Sequence, residues 1–315
     1  MSGTSIDTVD IERATTSSFE DDLREIQEVY AQFSRLGVPT VPSSRINAYR
    51  DAFESLKRAK DERRLDHPLA VRVLQTLMEF AQLKTIIKAA GASPNRATWE
   101  EQLRKLVSGP SAHVAGSKHS PAHNFQFESF VAAVCELSGY EIGFAEPDVV
   151  VRDDSCAFGI AAKRPSSKRR IEKNCRKAAN QIIRSGLPGL IALDITPSVY
   201  PDQCINTNDL AGATLFVQSA VNNFTAENHH MFCDVCSDDA VIGVLVCLHL
   251  PVLNFGHPEG PQLAKAIRWL LVPCCDPDDE RLRWIYKFAE KCELGLFGPR
   301  SGLKDGNLVI LRSRG

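Results

Sequence analysis

The chain runs to 315 residues, enough for one large domain or two, and its 43% hydrophobic content argues for a globular fold. With 37 Lys and Arg against 39 Asp and Glu the net charge is −2, so binding to a polyanion would have to rest on a local cationic patch. No run of about 18 apolar residues occurs and no charged-then-apolar leader opens the chain, so a soluble, cytoplasmic protein without membrane attachment is expected.

After a Ser/Thr-rich start, residues 18–37, 43–64 and 67–91 each carry the apolar stripe of a helix. Ser43 or Ser44 and Pro68 are start signals and Gly91 a stop. A fourth helix is predicted over 95–109. The following stretch GPSAHVAGSKHSPAH, rich in Gly, Ser, Pro and His, reads as a linker, with His113, His119 and His123 as solvated loop residues. Residues 1–118 therefore form an expected all-helical region, able to dimerise, to bind a partner or to clamp a substrate. Residues 119–315 form an expected α/β domain.

That second region opens with NFQFESFVAAVCELSGYEI. Phe127, Phe130, Val131, Val134 and Leu137 fall at helical spacing, and Gly139 sits where a C-terminal cap belongs. Glu128 is expected in the first turn, where the helix dipole alone would favour it. Next, EPDVVVRDDSCAFGIAAK (146–163) reads as a β-hairpin that brings Asp148 and Lys163 to the same end of a sheet. A carboxylate and an ammonium held together there can bind a divalent cation and poise a water.

Residues 165–196 predict a basic helix and then a buried strand, GLIALDI. The segment holds Lys168, Arg169, Arg170, Lys173, Arg176, Lys177 and Arg184, with Glu172 its only acid before Asp194, a charge bias suited to phosphates. Arg170, Asn174, Lys177 and Gln181 share one helical stripe, while Glu172 falls on the opposite side. Farther on, 209–224 predicts a helix, 239–255 a long buried strand, 266–274 a strand, 278–292 a helix and 307–314 a terminal strand. His249 reads as a core histidine. No Walker loop, dinucleotide fingerprint or G-x-S-x-G elbow is present, which counts against nucleotide hydrolysis, redox chemistry and acyl transfer.

Pro147, Asp148 and Lys163 resemble the core motif of the PD-(D/E)XK nuclease superfamily, which includes restriction endonucleases, Holliday-junction resolvases and helicase-linked exonucleases. The motif runs Pro-Asp, a spacer, then an acid, any residue and Lys; here the acid position is Ala161. The resemblance, over roughly residues 120–255, implies a restriction-endonuclease-like mixed sheet flanked by helices, and DNA cleavage with Mg²⁺ or Mn²⁺. It implies metal ligation by Asp148, Glu128 and the Ala162 carbonyl, with Lys163 orienting the attacking water. Gln181, Lys177, Asn174 and Arg170 would grip the substrate. With Ala161, three readings stay open: a working site completed by Glu128, a non-cutting nucleic-acid-binding or interaction module, or an engineered inactive variant.

Ten cysteines in a chain without a leader are expected to stay reduced, and Cys135, Cys156 and Cys247 lie in apolar runs as small hydrophobes. HHMFCDVC offers His229, His230, Cys233 and Cys236 as zinc ligands, but no second pair with matching spacing exists elsewhere.

Overall fold

A computed structural model describes residues 9–16, 19–40, 45–61, 67–107, 121–154, 156–200, 204–256, 262–274 and 279–297. In chain order it shows β1 (Val9–Thr16), α1 (Phe19–Arg35), α2 (Arg45–Asp61), α3 (His67–Ala92), α4 (Arg96–Leu106), α5 (Pro121–Leu137), β2 (Glu141–Gly143), β3 (Val149–Arg152) and β4 (Ala157–Lys163). A short 3₁₀ turn, Lys168–Arg170, leads into α6 (Ile171–Ser185). Then follow β5 (Gly189–Asp194), α7 (Thr196–Val199), β6 (Ile205–Thr207), α8 (Leu210–Glu227), α9 (His229–Val235), β7 (Val241–Asn254), β8 (Gln262–Pro273) and α10 (Glu280–Phe297).

One mixed sheet collects every strand in the order β1-β8-β7-β5-β4-β3-β2, with β6 beside the far half of β7. β2, β3 and β4 form an antiparallel meander; α6 then crosses over so that β5 pairs parallel to β4, and β7 parallel to β5. Both faces of the sheet are covered, which is why β5 and β7 read as continuous apolar runs rather than alternating ones. The period of two survives in where side chains go. Leu190 and Ala192 of β5 join one cluster; Ile191 and Leu193 join the cluster on the other face.

The first cluster contains Val131 of α5, Trp269 of β8 and Phe288 of α10, together with Phe33, Phe53, Ile86 and Trp99 of α1 to α4. The helices before residue 107 thus bury their stripes in the core of the sheet itself, each large side chain contributing about 1.5–3 kcal/mol. The second cluster packs α6, α8 and α9 against the opposite face through Cys175, Ile182, Val217 and Phe232. The expected division between residues 118 and 119 lies outside the described residues, as do His113, His119 and the strand expected over 307–314.

Three expectations need correction. The Ser/Thr-rich start contains β1, which pairs with β8. α5 begins at Pro121, so His123 is a buried helical residue whose Nε2 lies 3.1 Å from Glu79 Oε1, not a solvated loop residue. The same start places Glu128 in the third turn, beyond the reach of the helix dipole. Gly139 does end α5, at φ +87, a backbone geometry that favours glycine.

Candidate active site

The β3–β4 hairpin is the scaffold of the site. Its register pairs Val149 with Ile160; one step further sets Asp148 opposite Ala161, with Lys163 at the end of β4. Asp148 is held from three sides. Its Oδ2 accepts from Lys163 Nζ at 2.5 Å and from the Ala162 backbone N–H at 2.9 Å, and its Oδ1 accepts from Gln181 Nε2 at 3.2 Å. Gln181 also donates to the Pro147 carbonyl at 2.8 Å, and Lys163 to the Ala162 carbonyl at 3.0 Å. Only 10% of the Lys163 side chain and 14% of that of Asp148 meet solvent, so this pair is more than a screened surface contact.

Gly159 allows this arrangement. A Cβ there would stand 2.6 Å from Pro147 Cγ, so the bare backbone lets the Pro147–Asp148 turn fold down onto β4.

Glu128 approaches from α5. Burial pushes its carboxyl up to about 7, and the negative charge of Asp148 adds to the effect. Lys163, Lys105 and Lys177 pull the other way. Asp148 is also raised by burial, against the opposing pull of Lys163 and its hydrogen bonds. Two partly buried carboxylates, an ammonium and a backbone carbonyl therefore share one electrostatic environment. All their donor atoms toward a cation are oxygens, the chemistry that Mg²⁺ and Mn²⁺ accept.

Of the residues expected at the site, Asp148, Lys163, Ala162 and Gln181 are in direct contact, and Glu128 and Lys177 stand within electrostatic reach. Arg170 and Asn174 are not part of this contact set. Arg170 is exposed on the 3₁₀ turn, and Asn174 spends its Nδ2 on the Arg170 carbonyl at 2.7 Å. Glu172, exposed and paired with Arg176, takes no part. Ala161 is fully buried against the α6 side of the core, so a methyl group occupies the position opposite Asp148.

Two features escaped the sequence reading. Arg164, next after Lys163, forms an ion pair of 3.0 Å with the buried Asp194 at the end of β5. Lys105 of α4 acts on Glu128 from a helix 23 positions upstream in the chain. Neither follows a motif. Only the pairing of β4 with β5, and of α4 with α5, brings them in.

His229, His230 and Cys233 lie on α9, and Cys236 stands at its C-terminal cap. His229 Nε2 lies 3.6 Å from Cys233 Sγ, and the neighbouring Cys274 together with burial pushes the Cys236 thiol up. Among the described residues no group of three or more His, Cys, Asp or Glu side chains is arranged to hold a metal, and no helix is long and apolar enough to cross a membrane. Compared with known proteins, the chain matches no family model, and no curated protein and no solved structure shows a significant likeness to it.

Proposed function

We propose that this protein hydrolyses phosphodiester bonds of DNA at the Asp148–Lys163–Glu128 cleft, using Mg²⁺ or Mn²⁺ within a restriction-endonuclease-like core. The observation that carries the reading is the contact of the Asp148 carboxylate with the Lys163 ammonium at the end of β4, with the buried Glu128 carboxyl within electrostatic reach of both and of Lys177 on α6. Asp148, Glu128 and the Ala162 carbonyl would hold the cation, which supplies Lewis acidity and a more acidic water. Lys163 sits where it can stabilise charge on the phosphate and fix the attacking water by hydrogen bonding. Gln181 keeps the Asp148 carboxylate turned toward Lys163. Lys173 and Lys177, exposed on α6, offer phosphate contacts.

Plasmid cleavage in Mn²⁺ tests this. Asp148→Ala and Lys163→Ala should each lose at least about 100-fold of the wild-type rate, the usual size of an acid–base or electrostatic contribution. Cleavage retained in both variants discards the site.

A second reading is a module that binds DNA without cutting it. The Ala161 methyl opposite Asp148 favours it, because the cleft then offers two carboxylates from separate elements rather than a pair on the hairpin. Wild-type protein that binds DNA yet leaves plasmid intact in both metals selects this alternative.

A further inference from the structure

The helical region ahead of residue 107 places a cation within electrostatic reach of Glu128. α4 is fixed on α5 and its surroundings by Trp99, Leu103 and Leu106, all buried. The Trp99 indole donates to Glu136 Oε2 at 2.5 Å and meets the Phe144 ring edge-on at 5.1 Å. This anchoring sets the last turn of α4, which carries Arg104 and Lys105, beside the start of α5. The Lys105 ammonium lies 5.8 Å from the centre of the Phe125 ring. Phe125 stands three residues before Glu128, one helical turn away on the same face. Lys105 and Lys177 both draw on the Glu128 charge, one from α4 and the other from α6.

Cations from two different layers of the fold thus act on Glu128. At rest Lys105 pairs with Glu101 at 2.9 Å, an exposed i,i+4 contact of the kind worth only a few tenths of a kcal/mol. Arg104 is held by Glu100 at 2.6 Å and is mostly exposed.

We propose that Lys105 is a phosphate-contacting residue for a DNA duplex, and that α4 forms the second lip of the cleft opposite α6. This deepens the nuclease reading and rests on it. The helical region then acts as a clamp on the backbone, not as a separate partner-binding arm.

Binding of a short fluorescein-labelled duplex, followed by anisotropy in EDTA over a range of salt, separates the two claims. For Lys105→Ala and Lys105→Gln the affinity should fall about 3- to 10-fold and the slope of log K against log salt by about one, the loss of one phosphate contact. Lys105→Arg should restore both, and Arg104→Ala should stay near wild type. Lys105→Gln keeps the stem on Phe125, so agreement of the two variants distinguishes lost charge from lost packing. If Lys105 variants bind as wild type while Lys177→Ala weakens binding, the second lip is refuted and the nuclease reading stands. If Arg104→Ala weakens binding as much as Lys105→Ala, net charge rather than a placed contact is responsible, and the second lip is again refuted. If the wild-type protein has no affinity for the duplex, the DNA reading and this inference fall together.

Discussion

At Glu128 the folded chain prefers a proton. Burial, with Asp148 nearby, raises this carboxyl from 4.5 to about 7, so the folded state binds its proton more tightly than the unfolded one. The contribution is fully present below pH 4.5 and is lost as pH rises through 7. Glu128→Gln should therefore leave the metal-free protein more stable than wild type at pH 8, by up to about 3 kcal/mol, with little difference at pH 4. Urea melts in EDTA at the two pH values check this, and equal differences at both would contradict the assigned environment. A second residue-scale prediction concerns Gly159, where any Cβ meets the Pro147 ring at 2.6 Å. Gly159→Ala should cost about 1–3 kcal/mol by overpacking and should reduce cleavage as well, because Pro147 carries Asp148 with it. Unchanged melting and activity would show that the turn has room to move. At this scale Asp148 and Lys163 were legible, since a hairpin with period two makes their meeting a short-range matter. Gly159 gave no signal, because its role depends on a ring 12 positions away.

Among the elements, α3, α5, β7 and β8 are joined by a buried polar seam. The Gln126 amide donates to the Glu79 carbonyl at 2.9 Å and meets the Gln82 amide at 2.9 Å; the Gln82 amide meets His249 Nδ1 at 2.8 Å, and Trp269 Nε1 donates to His249 Nε2 at 2.8 Å. An indole N–H can only donate, so His249 Nε2 is the acceptor of the Trp269 bond. Burial lowers His249 to about 4, against 6.5 when free. Its folded pKa is depressed, so the stabilising contribution is present above pH 6.5 and disappears as pH falls through 4. Wild type should lose up to about 3 kcal/mol more than His249→Gln between pH 7 and pH 4, read from urea melts at each pH. Parallel pH profiles would sink the argument. The sequence showed a histidine in an apolar strand, and hence a core residue. It could not show Gln82, 167 positions away, or that the seam ties the helical layer to the sheet.

For the molecule as a whole, the shared core decides how the helical layer and the sheet behave. α-Helical stripes were readable in the first 107 residues, but where they dock was not, because an amphipathic face specifies burial and not a partner. In the structure α3 and α4 pack on α5, while α1 and α2 pack on α3; because α5 carries Glu128, the stability of the helical layer and the placement of that carboxyl are coupled. Trp99 is the point at which to break that coupling: it is fully buried, and its indole bonds to Glu136 on α5. Trp99→Ala should cost about 3–5 kcal/mol through the cavity it leaves. It should also weaken duplex binding beyond the loss seen in Lys105→Ala, because α4 as a whole loses its seat. Trp99→Phe fills most of the same volume without the indole N–H, and should keep most of the stability and of the binding. Two-state urea unfolding and duplex anisotropy on both variants, at a temperature where each is folded, give the comparison. Binding that stays at the wild-type level in a folded Trp99→Ala protein would mean that α4 can leave α5 without disturbing the cleft, and the coupling between the layer and the site would have to be given up.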